Sequence, residues 1–259
     1  AGHSERVLAQ ALAGKRDRVV IATKFNAVFD ESTRQVLGSD SSPQGIRRAC
    51  EDSLRRLGTD MIDLYQFHDN GFLPEKAGPV RDTLEELVAA GKIRAYGWST
   101  DFPKSAEFFA EAEHCTAIQA QLNVLDDNPA IVAVCEKQNL GLINRGPLAM
   151  GLLTGKYQSE TRPSSDDVRG IKAPGWMKYF VHGQPNAEYL TKLAAVREIL
   201  TSSGRSLAQG ALGWLWARSE KTIPIPGFRT VKQVEENARA LDFGPITQEQ
   251  YLEIEQILR

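Results

Sequence analysis

Short apolar runs alternate with helical patterns along most of this chain, and that alternation restricts its fold more than any other feature. Candidate strands are residues 19–23, 62–67, 95–99, 117–121, 141–144 and 222–225. Each reads as a short strand buried on both faces of a parallel sheet. Between them lie helical periods. "SPQGIRRACEDSLRRLG" places Ile46, Ala49, Cys50, Ser53, Leu54 and Leu57 on one stripe, with a predicted start at Ser42-Pro43 and a predicted stop at Gly58. "VRDTLEELVAAGK", "NPAIVAVCEKQNLG" and "TVKQVEENARAL" repeat the scheme, the last opened by Thr230. Alternating βα units imply a parallel sheet covered by helices. The choice is a doubly wound open sheet or a (β/α)8 barrel. No GxGxxG follows an early strand, which weighs against the first.

A closed barrel of this kind takes eight strands in about 250 residues, and only six candidates are visible. The first helical period, from Glu5 to Ala13, also starts abruptly. The expectation is one domain over residues 1–259 that is N-terminally incomplete, with two βα units absent.

Composition sets the class. The chain is 42% hydrophobic and 25% charged with a formal net charge of −2. That balance argues against a nucleic-acid or anionic-membrane surface. Cys50, Cys115 and Cys135 form no CxxC pair, so neither a disulfide framework nor a cysteine metal site is expected. Free thiols fit a reducing, cytoplasmic compartment. No run reaches the length of a membrane span, and the first dozen residues lack a leader's basic end and apolar core.

In βα barrels chemistry collects at the carboxyl ends of strands. The runs deliver Lys24, then His68-Asp69, then Ser99-Thr100-Asp101, then Gln119 with Gln121, then Arg145, then Gly227 and Arg229. Taken alone, Lys24 could be a salt-bridge partner and His68 a satisfied core histidine. Together, an ammonium can acidify a neighbouring hydroxyl, and an imidazole can hydrogen-bond a carbonyl oxygen. "IPIPGFRTVKQVEEN" turns a strand through Pro226-Gly227 into a helix N-terminus, where free amides and Arg229 suit a phosphate. The long connection 158–186 reads as a self-packed excursion or a ligand-covering loop. Trp98, Trp176 and Phe180 suggest an apolar pocket lining.

The stretches "GHSERVLAQAL", "VVIATKF", "SLRRLGTDMIDLYQFHD", "LVAAGKIRAYGWST", "AIQAQLNVL", "GPLAMGLLTGKY" and "IPIPGFRTVKQVEENARAL" resemble the aldo-keto reductase family, in family order over nearly the whole chain. The nearest look is the bacterial branch that is also similar to potassium-channel β subunits. The resemblance implies a (β/α)8 barrel, NADPH/NADP+ as cofactor, a small-molecule carbonyl substrate and no metal. Lys24 and His68 match the family's catalytic Lys and His. Its Tyr and Asp would fall before Ala1. Ser99 and Gln119 match the carboxamide binders, with Thr100 where many members have Asn. Arg145 stands where many have the aromatic that stacks on nicotinamide. Gly146, Pro147, Leu148, Gly151 and Lys156 match the pyrophosphate loop. Gly227, Arg229, Gln233, Glu236 and Asn237 match the adenosine end, and Arg229 beside a 2′-phosphate favours NADPH. The expected function is carbonyl reduction by hydride transfer. A cofactor-binding redox sensor or regulatory subunit, or a Schiff-base aldolase using Lys24, are the rivals.

Overall fold

A computed structural model of the chain describes residues 2–259. It divides into two compact units, one of residues 1–120 with 133–141, the other of residues 121–132 with 142–259.

The first unit carries strands β1 (Ala22–Phe25), β2 (Ala27–Phe29), β3 (Val36–Ser39), β4 (Ile62–Phe67), β5 (Ile93–Ser99) and β6 (Cys115–Gln121), whose last residue belongs to the second unit. Its helices are α1 (His3–Ala11), α2 (Pro43–Leu57), α3 (Gly78–Ala89), α4 (Pro103–Ala110) and the greater part of α5 (Pro129–Lys137). β1, β4, β5 and β6 lie side by side and parallel. β2 and β3 form an antiparallel hairpin whose Val36 and Leu37 are exposed.

Local chemistry explains α2 in detail. The Ser42 hydroxyl accepts from the Gly45 amide, Pro43 fills the first turn, and Gly58 ends the helix at φ 64°. These are the three signals read from the sequence. Ile46, Cys50, Ser53, Leu54 and Leu57 form its buried stripe.

The first strand departs from expectation. It starts at Ala22, and Val19 and Val20 are 37% and 76% exposed. The pattern 19–23 reads as a strand buried on both faces, whereas β1 covers only its last two residues and pairs with β4 alone among the described residues. Hydropathy reports what a residue prefers, not whether a neighbour covers it.

Side-chain alternation splits the sheet into two faces. Phe25 stacks on Phe67 and Phe67 meets Trp98 at a tilt, with ring centroids 5.4 and 5.2 Å apart, and Trp98 meets Phe109 of α4 at 4.6 Å. This is the helix-side core. Trp98 therefore belongs to the packing between sheet and helices, not to a pocket wall as its sequence position suggested. Its indole N–H donates to the Asp69 carbonyl at 2.8 Å. All three cysteines are buried, and burial pushes each thiol up to about 12.

The second unit holds β7 (Gly141–Arg145), whose first residue belongs to the first unit, then β8 (Phe180–Val181), β9 (Gln184–Pro185) and β10 (Thr222–Pro224). β7 pairs parallel with β10, and the Leu122 amide donates to the Arg145 carbonyl. Its helices are α6 (Ala187–Leu200), α7 (Leu207–Arg218), α8 (Val231–Ala238), α9 (Ala240–Phe243) and α10 (Gln248–Leu258). α7 is buried almost all round and opens on a full capping box between Ser206 and Gln209. α10 is tied down at its end, where Arg259 and Arg218 both bind the Asp127 carboxylate, whose side chain is 7% exposed.

The 158–186 connection is largely exposed but packs on its own aromatics near its end. β8 and β9 close a two-residue hairpin on His182 (φ 50°) and Gly183 (φ 72°), the backbone twist a tight hairpin needs. Met177, Tyr179 and Phe180 are buried, and Phe180 meets Tyr157 edge-on at 4.9 Å. Phe180 thus packs in the core of this unit and Trp176 is exposed. Among the described residues, no helix is long and apolar enough to cross a membrane.

Candidate active site

In the first unit, pairing register decides which polar groups meet. Lys24 lies opposite Gln66, Gln66 opposite Gly97, and Ser99 opposite Gln119. Partners in a parallel ladder share a face, and residues two apart on one strand share it too. Lys24, Gln66, Ser99 and Gln119 therefore line one face, the one opposite the aromatic core. The Gln119 Nε2 donates to the Gln66 Oε1 at 3.3 Å, which the shared face requires. Gln66, Ser99 and Gln119 are buried and Lys24 is half-buried. His68 follows β4, exposed, with its amide bonded to the Phe25 carbonyl at 3.1 Å. Lys24 and His68 thus stand at the carboxyl ends of adjacent strands. Gln66 is hidden in the sequence because, like Asp63, it reads as a polar interruption of an apolar run.

Thr100 is placed differently. It is fully buried, its hydroxyl accepts from the Phe102 amide at 3.2 Å, and its amide is bonded to Gln119. Alternation puts its side chain opposite Ser99, where it braces the start of α4.

In the second unit the chain winds left-handed after β7. Gly146, Ala149, Met150 and Gly151 have φ of 64°, 47°, 55° and 92°. Two of these carry side chains, a conformation that costs about 1–3 kcal/mol each and concentrates at functional sites. Pro147 and Leu148 are buried beneath the turn, and Lys156 is exposed with its ammonium over the Tyr157 ring at 4.7 Å. Arg145 ends β7, half-buried, with Nη1 3.5 Å from the Gln121 Oε1.

Arg169, from the long connection, was not singled out in the sequence. Its guanidinium donates to the Met150 carbonyl at 3.0 Å and to both oxygens of Asp167. A Cβ on Gly151 would lie 3.4 Å from Arg169 and 3.6 Å from Lys156. Hydrogen bonds from Arg169, aided by the charge of Arg229, hold the Asp167 carboxyl down to about 2. The left-handed turn, Lys156 and the Arg169–Asp167 pair therefore lie together, with Arg229 close enough for its charge to act on Asp167. No short motif marks Arg169. Its role shows only once the connection folds back.

Gly227 and Arg229 are exposed before α8. Thr230 caps that helix, and the Gln233 Oε1 accepts from the Arg229 amide at 2.7 Å, so Gln233 also orders the turn that carries Arg229. The Glu236 carbonyl accepts from Gln209. The buried Asn237 Nδ2 has no hydrogen-bond partner among the described residues.

Residues 1–259 match the sequence profile of the Aldo/keto reductase family. The chain belongs to that family. A fission-yeast relative, aldo-keto reductase yakc [NADP(+)] of Schizosaccharomyces pombe, is 32% identical over 88% of this chain and 66% of its own length. The chain thus spans about two thirds of that relative. The chloroplastic pyridoxal reductase of Arabidopsis thaliana is 31% identical over 98% of this chain and 68% of its own. Among solved structures, the glycerol dehydrogenase of Gluconobacter oxydans is similar at a TM-score of 0.83 and 32% identity, covering 99% of this chain and 77% of that one. The fold is accordingly of the family's (β/α)8 class, and the doubly wound alternative falls.

Proposed function

We propose that the protein is a cytoplasmic, NADPH-dependent oxidoreductase that reduces a small aldehyde or ketone to an alcohol. The observation that carries this reading is the polar row Lys24, Gln66, Ser99 and Gln119 on one face of adjacent strands, opposite an aromatic core. A sheet face buried for stability alone would be apolar. Three unpaired, buried thiols agree with a reducing compartment.

The residues present fit the dinucleotide. The left-handed turn after β7 brings backbone amides and the Lys156, Arg169 and Arg229 charges together, as a diphosphate and a 2′-phosphate require. The unpartnered Asn237 Nδ2 offers a donor at the adenosine end, beside Gln233 and Glu236. Gly146, Pro147, Leu148 and Gly151 form the diphosphate turn, and Gly227 leaves room before α8. Ser99 and Gln119 hold a carboxamide, while Thr100, bonded through its amide to the Gln119 carbonyl, braces the turn that follows β5. When bound, NADPH supplies the hydride.

His68 donates to the carbonyl oxygen, and the Lys24 ammonium lowers the pKa of an adjacent hydroxyl that delivers the proton. Within residues 1–259, Lys24 and His68 are the matches to the family's catalytic set. The decisive experiment follows NADPH absorbance across a panel of aldehydes and ketones. Consumption of at least one carbonyl supports the reading. Binding of NADPH with no consumption by any of them leaves the sensor reading instead.

Arg145 takes the place of the family's stacking aromatic. A guanidinium stacks on a flat neutral ring but repels a cationic one, so Arg145 favours reduced over oxidised cofactor. In Arg145→Tyr, the Kd for NADP+ divided by that for NADPH is expected to fall about fivefold, equivalent to about 1 kcal/mol. An unchanged ratio in a fluorescence titration refutes this role.

A further inference from the structure

The Tyr179 hydroxyl is the hub of a buried polar cluster within the second unit. Tyr179 is 3% exposed. Its hydroxyl donates to the Asp126 Oδ2 at 3.0 Å and accepts from the Gln121 Nε2 at 2.7 Å and the Asn123 Nδ2 at 2.8 Å. A phenol has one donor and two lone pairs, and all are used. Lys178 adds an ion pair to the same Asp126 carboxylate at 2.5 Å. A hydroxyl so completely satisfied at this depth exceeds what is needed to anchor a connection, since the apolar seats of Met177 and Phe180 already do that.

The consequence lies one residue further on. With its Nε2 committed to Tyr179, the Gln121 amide must aim its Oε1 the other way, and there it meets Nη1 of Arg145 at 3.5 Å. The Gln121 amide also lies against Gly146, where an added Cβ would sit 2.6 Å from Oε1 and 2.7 Å from Nε2. The other amide that grips Tyr179 reaches the same place, because the Asn123 Nδ2 donates to the Gly146 carbonyl at 2.9 Å. Both amides held by Tyr179 therefore bear on residues 145 and 146.

Resting on the cofactor reading above, we infer that Tyr179 is a positioning residue: through Gln121 it orients the Arg145 guanidinium and the Gly146 backbone, and so sets the preference for reduced over oxidised nicotinamide cofactor. Without the phenol, the Gln121 amide loses the bond that fixes its orientation. Flipped, it would present N–H groups to a guanidinium that carries only donors. Arg145 then loses the acceptor that aligns its guanidinium, and the oxidised ring is less selectively repelled.

The test measures Kd for NADP+ and for NADPH by fluorescence titration of the full-length protein and its variants. In Tyr179→Phe the ratio of the two constants is expected to fall about fivefold. Gln121→Leu breaks the same path, reproduces that fall and carries the test if Tyr179→Phe does not fold. Adding either change to Arg145→Ala is expected to move the ratio no further. A merely structural role for Tyr179 weakens both cofactors alike, and an unchanged ratio in Tyr179→Phe overturns the inference. So does an equal fall of the ratio in the presence and absence of Arg145. Failure of the wild-type protein to bind either nucleotide refutes the cofactor reading itself, and this inference with it.

Discussion

Replacing His68 or Lys24 by alanine in the full-length protein is expected to lower turnover about 100-fold or more while NADPH affinity stays within about threefold. The two residues stand at the ends of paired strands, His68 bonded through its amide to Phe25 and Lys24 in register with Gln66. A donor aimed at the carbonyl oxygen matters most where charge develops, and loss of one such donor costs about 10²–10³ in kcat. In the proposed function Lys24 acts through another group, its ammonium stabilising the anion of a neighbouring hydroxyl. Its loss therefore also moves the basic limb of the pH–rate profile upward, as the acid's pKa returns toward its ordinary value. Loss of His68 leaves that limb in place. Steady-state kinetics over pH, with parallel NADPH titration, separate the two. Turnover retained in both variants would remove the catalytic assignment.

Gly97→Ala is expected to destabilise the protein by about 3 kcal/mol or more. A Cβ at Gly97 would lie 2.1 Å from the Ala117 carbonyl oxygen, a backbone atom that cannot swing aside. The glycine sits where β5 slips against β6, from the pair Tyr96–Cys115 to the pair Gly97–Ala117. That slip brings Ser99 opposite Gln119. A one-residue change of register turns side chains to the other face, so this glycine serves the site as well as the sheet. For a chain of this size the midpoint of thermal unfolding should fall by about 6–12 °C. Gly227→Ala is the control, since its Cβ would meet nothing within 4 Å. A fall at Gly97→Ala no larger than at the control would show that the strands can separate at little cost.

Much of the first unit is legible in the residues. Ser42, Pro43 and Gly58 mark both ends of α2 because capping chemistry is local. Residues 62–67 are read correctly as a strand because β4 is covered on both sides. The same hydropathy misplaces the first strand, where Val20 is exposed. The hairpin β2–β3 and the helices α4, α6, α7 and α10 are missed. α7 in particular is apolar on nearly every face and shows no helical stripe. Trp98 is assigned to a pocket on its position at a strand end, and alternation sends it to the opposite face.

The site divides the same way. Lys24, His68, Ser99, Gln119, Arg145 and Arg229 are proposed from the sequence because strand ends and helix starts are marked by local pattern, and the family resemblance rests on those same stretches. Gln66, Arg169 and Tyr179 are not found, because each acquires its partners from segments far along the chain. By itself the sequence determined the parallel βα class, the family and the residues that strands carry to their ends. The tertiary structure alone decided which of those residues share a face, which hydroxyls are already committed, and that the connection 158–186 folds back beside the turn after β7. Spacing along the chain encodes periodicity, whereas register slips and returning connections depend on contacts between residues distant in sequence.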